Sequence, residues 1–171
     1  MFGYSFPPTE PAAHLRRMSG IALLLGLAGV LPFLACGLMT LATLDPASSR
    51  WAAALVGYGA VVLGFIGAVQ WGLAMADPQA RAERTRLVFA VVPAVIGWLA
   101  LLLDAFGPSE LAIALLIGGY VVTIGGEDRA ARAGLLPGGY LAMRWLLTLI
   151  AVAVLTTVLM LRLIGAHVIY L

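Results

Sequence analysis

The residues able to do chemistry in this chain are few, and where they fall limits what they could do. The 171 residues include eight carboxylates, ten basic residues that are all Arg, two His and one Cys. A proton pump, an ion-coupled carrier or a channel filter places Asp, Glu, His or Arg within an apolar span. Here Glu10, Asp45, Asp77, Glu83, Asp104, Glu110, Glu127 and Asp128 all fall at the ends of apolar stretches or between them. Arg162 is a few residues from the end of the last stretch and can snorkel outward. His14 and His167 fall on opposite sides of a five-span membrane protein, so they cannot share a metal or haem iron. Cys36 is alone, which excludes an intramolecular disulfide or a Cys-cluster metal site, and reads as a small buried hydrophobe. The residues after it stay apolar to Leu44, unlike those of a processed lipoprotein. No Ser–His–Asp set, carboxylate pair or phosphate loop can be assembled. The pattern predicts no catalytic residue, no metal, no cofactor and no enzyme.

The polar chemistry that remains gathers toward one end of the second and fifth stretches. Gln70 lies about two turns inside the boundary at Asp77, so its amide needs a partner. Arg144, one turn into the fifth helix, is the expected partner. Tyr58, Gln70, Trp71, Tyr140, Arg144 and Trp145 form the candidate binding set. The competing reading makes Trp71, Trp145 and Tyr140 an interfacial aromatic belt and Arg144 an anchor for lipid phosphate. Residues 127–132 read as a short amphipathic connector on the membrane surface, with Asp128 and Arg132 spaced for an i,i+4 pair and Gly134 ending it.

The elements that must position these side chains follow from composition. Hydrophobic residues make up 63% of the chain, charged ones only 11%, and mean hydropathy is +1.05. A soluble domain carries about 25% charged residues, and one of this size could not bury so much apolar surface. Disorder, nucleic-acid binding and a disulfide-stapled secreted fold are excluded with it. Five long apolar runs, approximately 18–44, 51–76, 87–106, 111–125 and 140–165, predict an all-α, polytopic bundle of five transmembrane helices after a segment 1–17. Long continuous runs are not the alternating pattern of barrel strands. Asp45-Pro46 and Gly107-Pro108 mark turns.

Arg16, Arg17, Arg81, Arg84, Arg86, Arg129, Arg132 and Arg144 share one side of such a bundle; Arg50 and Arg162 hold the other. The positive-inside rule then predicts a cytoplasmic N-terminus, a periplasmic C-terminus, and Arg residues that meet anionic lipid head groups in a bacterial inner membrane. Ala60, Gly64, Ala68 and Gly72 recur every four residues and predict a helix-packing face, and Ala114 and Gly118 repeat the spacing. Pro32 and Pro93 should bend the first and third helices, and the carbonyls they free must find other donors.

Several strings together resemble the transmembrane protein 69-like family, bacterial integral membrane proteins grouped as a domain of unknown function. They are residues 29–33, 58–60, 65–72 with its Gln70-Trp71-Gly72 ending, Pro93 with 98–100, and 144–148. The resemblance spans about 20–159 and implies a bacterial inner-membrane protein with organellar eukaryotic relatives, and no reaction. Bacterial relatives commonly have His where this chain has Gln70, which argues against a required imidazole there. Five helices with several Trp are also similar to the tryptophan-rich sensory, translocator-protein type, but its Trp-Pro-Pro strings are missing and the likeness is architectural. The expectation is a non-enzymatic accessory or assembly protein of an energy-transducing membrane, acting through lateral helix contacts with a membrane protein or a second copy. The alternative is a binder or carrier of an apolar small molecule or lipid, sited between the first, second and fifth helices near Pro32, Tyr58, Gln70, Trp71 and Arg144.

Overall fold

The computed structural model describes residues 20–76, 83–132 and 138–165, and every element among them is helical. The first span is split into α1 (Gly20–Ala28) and α2 (Leu31–Ala42); α3 (Ala47–Ala76), α4 (Glu83–Phe106), α5 (Ser109–Arg132) and α6 (Gly138–Ile164) follow. Five spans are long and apolar enough to cross a membrane, with α1 and α2 together making the first. The segment 1–17 with Arg16 and Arg17, and also His14, Arg81, Gly134 and His167, lie outside the described residues. Leu24, Phe65, Val88, Trp98, Val121 and Leu149 face outward. Such a surface suits lipid and not water, since soluble monomers seldom expose large apolar patches.

Two boundaries differ from the sequence expectation. The first span breaks because Pro32 has no N–H to give to the preceding turn. Around it the chain tightens: Val30 N–H donates to Leu27 O at 3.0 Å. The Tyr58 hydroxyl of α3 supplies a donor to the Gly29 carbonyl at the break, at 2.7 Å. Pro93, by contrast, sits buried inside an unbroken α4. The fourth span is longer than expected. α5 runs through Gly125 and Gly126, which do not end it, to Arg132.

The core is a stack of large apolar side chains, including Phe33, Leu55, Leu63, Ile113, Leu116 and Leu155, with Tyr120 among them. Phe33 meets the rings of Tyr58 and Tyr120 edge-on, at 5.1 and 6.1 Å between centroids. The buried Tyr120 hydroxyl donates to Gly59 O at 2.9 Å. Cys36 is half-buried against this core.

The closest helix contact is antiparallel, between α3 and α4. A Cβ at Gly97 would lie 2.8 Å from the Ala60 carbonyl oxygen, and one at Gly67 would run into the Ala90 carbonyl. Gly64 faces the Ala94 Cα. The working face is therefore Ala60, Gly64 and Gly67, not the expected four-residue row. That row drifts around the helix: Ala68 and Gly72 are exposed, as are Ala114 and Gly118 on α5. An i, i+4, i+7 spacing stays on one side of a 3.6-residue helix, whereas strict steps of four rotate off it. Gly97→Val should lower stability by about 1–3 kcal/mol, the usual range for overpacking. Gly118→Val should leave it unchanged, as followed by denaturant titration in mixed micelles.

Candidate functional site

The site begins with a carboxylate. Along α5 the buried positions Ile113, Leu116, Tyr120, Ile124 and Glu127 step by three and four residues, so the helix that buries the core face also buries Glu127. Glu127 is 3% exposed. A carboxylate held this deep is tolerable only when paired and hydrogen-bonded, and three donors converge on it. Arg144 Nε donates to Oε2 at 2.8 Å, while Gln70 Nε2 and the Tyr140 hydroxyl each donate to Oε1 at 3.1 Å. Gln70 is itself buried. One side chain thus ties α3, α5 and α6 together.

This corrects the sequence expectation in two respects. Gln70 and Arg144 are brought to one place, but they meet through Glu127 and not through a direct bond. Residues 127–132 are the last turns of α5, not a separate solvated connector. Asp128 and Arg132 do pair at i,i+4, with Arg132 Nε donating to Asp128 Oδ2 at 2.9 Å on the outer face. The signal for Glu127 was present in the i, i+3, i+4 row from Ile113 onward. Ending the helix at the glycine pair concealed it.

A second ion pair stands at the opposite end of the same two helices. Arg162 Nε donates to Glu110 Oε1 at 2.8 Å, both side chains partly buried, so Arg162 has a protein partner and does not simply reach for water. Beside it the Ser109 hydroxyl donates to Asp104 Oδ1 at 2.6 Å across the α4–α5 turn.

Next to the Glu127 cluster is a cavity of about 590 Å³. Its walls come from α1, α2, α3 and α6, with Tyr120 contributed by α5. Leu25, Val61 and Phe65 line it and are also exposed, so its mouth lies between α1 and α3 and opens sideways. From Tyr140 to Ala151 it follows α6 for about 16 Å at 1.5 Å per residue. Nearly all the wall is apolar; the polar groups are Tyr58, Tyr120, Tyr140, Arg144 and Thr148. Of the candidate binding residues, Tyr58, Tyr140 and Arg144 therefore line the cavity, and Gln70 stands behind it on Glu127. Trp71 and Trp145 face outward, Trp71 with its indole N–H donating to Met75 Sδ at 3.1 Å. Thr148, Phe33 and Met143 line the wall and were not among the residues selected from sequence. Nothing in a single threonine or methionine of an apolar helix distinguishes it before the packing is known.

A family profile described as Protein of unknown function (DUF3429) matches residues 18–160. The chain belongs to this family. Transmembrane protein 69 of Xenopus tropicalis is 35% identical to this DUF3429 chain over 132 residues, covering 77% of the chain and 50% of the frog protein. The chain thus spans about half the length of that curated relative. No solved structure matches it. The expected resemblance to transmembrane protein 69-like proteins is shown by these matches, and the matched region contains the whole Glu127 cluster.

Breaking a buried ion pair by removing one partner costs about 3–5 kcal/mol, whereas replacing both with apolar residues is often neutral. Glu127→Ala should accordingly destabilise the bundle strongly in denaturant titration. The double change Glu127→Leu with Arg144→Met should recover most of the loss, and Asp128→Asn should move the transition little.

Proposed function

We propose that this chain is a non-enzymatic, multi-pass protein of a bacterial inner membrane that binds an apolar, lipid-like small molecule in the cavity between α1–α2, α3 and α6. The cavity is the observation that carries this reading. Its volume falls within the range of about 300–1,000 Å³ usual for small-molecule sites, and an apolar wall with a few convergent polar groups is their usual composition. A mouth between α1 and α3 admits a molecule from the acyl-chain region without passage through water.

The small-residue face supports the same choice over an accessory role. A face used against a partner would be exposed, but Ala60, Gly64 and Gly67 are packed on α4 within the chain. The second reading, a lateral contact with a membrane protein or another copy of this chain, is favoured only by the exposed Ala68, Gly72, Ala114 and Gly118.

The distribution of Arg supports an N-terminus in the cytoplasm, which puts the Glu127 end of the cavity toward the cytoplasmic leaflet. With Cys36 changed to Ser, a Cys at Arg132 should react with an impermeant maleimide only after the cells are opened. A Cys at Ser109 should react in intact spheroplasts.

Binding is tested by filling the cavity. The wild-type chain, extracted in mild detergent and washed, should release close to one equivalent of an amphiphile on solvent extraction. Val62→Trp should lose it while keeping the wild-type elution volume. Equal amounts of lipid on both would overturn the proposal.

A further inference from the structure

Among the described residues, two buried side-chain atoms have no hydrogen-bond partner: Arg144 Nη2 and Thr148 Oγ1. Both residues line the cavity wall, and they stand one turn apart on the same face of α6. Arg144 is 6% exposed and Thr148 3%. An unsatisfied buried polar group costs about 1–3 kcal/mol, and more when it is charged. Native proteins keep few of these, and such exceptions ask for a ligand or a role.

Thr148 departs from the habit of its own chain. Thr40, Thr123 and Thr157 each donate to the carbonyl four residues earlier, at 2.7–2.8 Å, as threonine hydroxyls in helices commonly do. Thr148 makes no such bond. Arg144 is likewise only half used. Its Nε is fixed on Glu127 Oε2, Gln70 and Tyr140 occupy the other carboxylate oxygen, and Nη2 is left without a partner among the described residues.

Charge then narrows the occupant. Arg144 and Glu127 cancel as a pair, so the base of the cavity carries two free donors and no net charge. An ionised carboxylate or phosphate would bring an uncompensated charge into an apolar enclosure, which is heavily penalised. A neutral oxygen acceptor meets both donors without that penalty. Resting on the cavity as a binding site for an apolar molecule, we infer that its ligand carries an uncharged carbonyl-type oxygen at one end, held by Arg144 Nη2 and Thr148 Oγ1, with the apolar body lying past Tyr58 toward the lateral mouth. A quinone ketone on an isoprenoid tail and the ester of a glycerolipid share that chemistry. Glu127 acts here as a positioning residue: it fixes the guanidinium through Nε and leaves Nη2 for the ligand.

The test uses the full chain in detergent micelles, equilibrated with four probes in turn and read by native mass spectrometry. The probes are a short-chain isoprenoid benzoquinone, dioctanoylglycerol, hexadecane and palmitate. One or both carbonyl probes should be retained, and Thr148→Val should weaken that retention about 5- to 10-fold, the effect of one hydrogen bond. Thr148→Ser should restore it, and Arg144→Lys, which keeps the charge opposite Glu127, should weaken it as well. Hexadecane retention should be the same in all four proteins. Retention of the quinone alone or the ester alone supports the inference and names the source. Hexadecane held as well as the carbonyl probes, with no effect of Thr148→Val, overturns the inference and leaves the cavity reading intact. Tighter retention of palmitate overturns it in favour of an anion. Retention of none of the four overturns the binding proposal itself.

Discussion

A carboxylate buried in a membrane bundle must be surrounded by donors, and in this protein the arrangement of three helices follows from that requirement at Glu127. With no bulk water to solvate it, the side chain is stable only where Arg144, Gln70 and Tyr140 all reach it. Those groups come from α3 and α6, so satisfying one side chain sets the rotation of both helices about their axes relative to α5. The Glu110–Arg162 pair repeats the device at the other end. Glu110 and Glu127 are 17 residues apart on α5, and Arg144 and Arg162 are 18 apart on α6. At 1.5 Å per residue these are spacings of about 25 and 27 Å, close to the roughly 30 Å of a bilayer's hydrocarbon core. The two pairs hold α5 and α6 in antiparallel register from one edge of the membrane to the other.

The rest of the bundle is arranged around the same cluster by packing of a different kind. α3 and α4 approach through Ala60, Gly64 and Gly67 against Ala90, Ala94 and Gly97, where missing side chains let backbones meet. Among its described residues, α1 touches α6 only at side chains, with Gly26 beside Met143 and Leu147. It is largely exposed, joined to the core through the break at Gly29 and Val30, and the space it leaves beside α3 and α6 is the cavity. Pro32 interrupts the first span, and at that break the Gly29 carbonyl accepts from Tyr58, which is part of the cavity wall.

Much of this fold was legible in the residues. Apolar runs located five spans, and Pro32 marked where the first would deviate. The Gln70 amide signalled a buried polar partner. What misled was the treatment of charge and of glycine as boundaries. Glu127 reads as a surface residue because charged residues in membrane proteins usually sit there, and the apolar run 111–125 stops ahead of it. Inside a packed bundle glycine does not stop a helix when its neighbours supply the packing, and a carboxylate is retained wherever donors from other helices converge. The small-residue row failed for a geometric reason, since steps of four drift around a 3.6-residue helix and only part of the row could face α4.

By itself the sequence determined the solvent of this protein, the number of its spans, the unequal sharing of Arg between the two ends, and its membership in a family of membrane proteins. Each of these depends on composition or on distances along the chain, which one dimension contains. Only the tertiary structure decided that Glu127 is buried, that Gln70 and Arg144 meet through it, that Thr148 and Arg144 keep donors unused, and that a cavity opens between α1 and α3. Those depend on the rotational phase of helices far apart in sequence. That phase is set by close packing and by the satisfaction of buried polar groups across the whole bundle, and no local pattern records it.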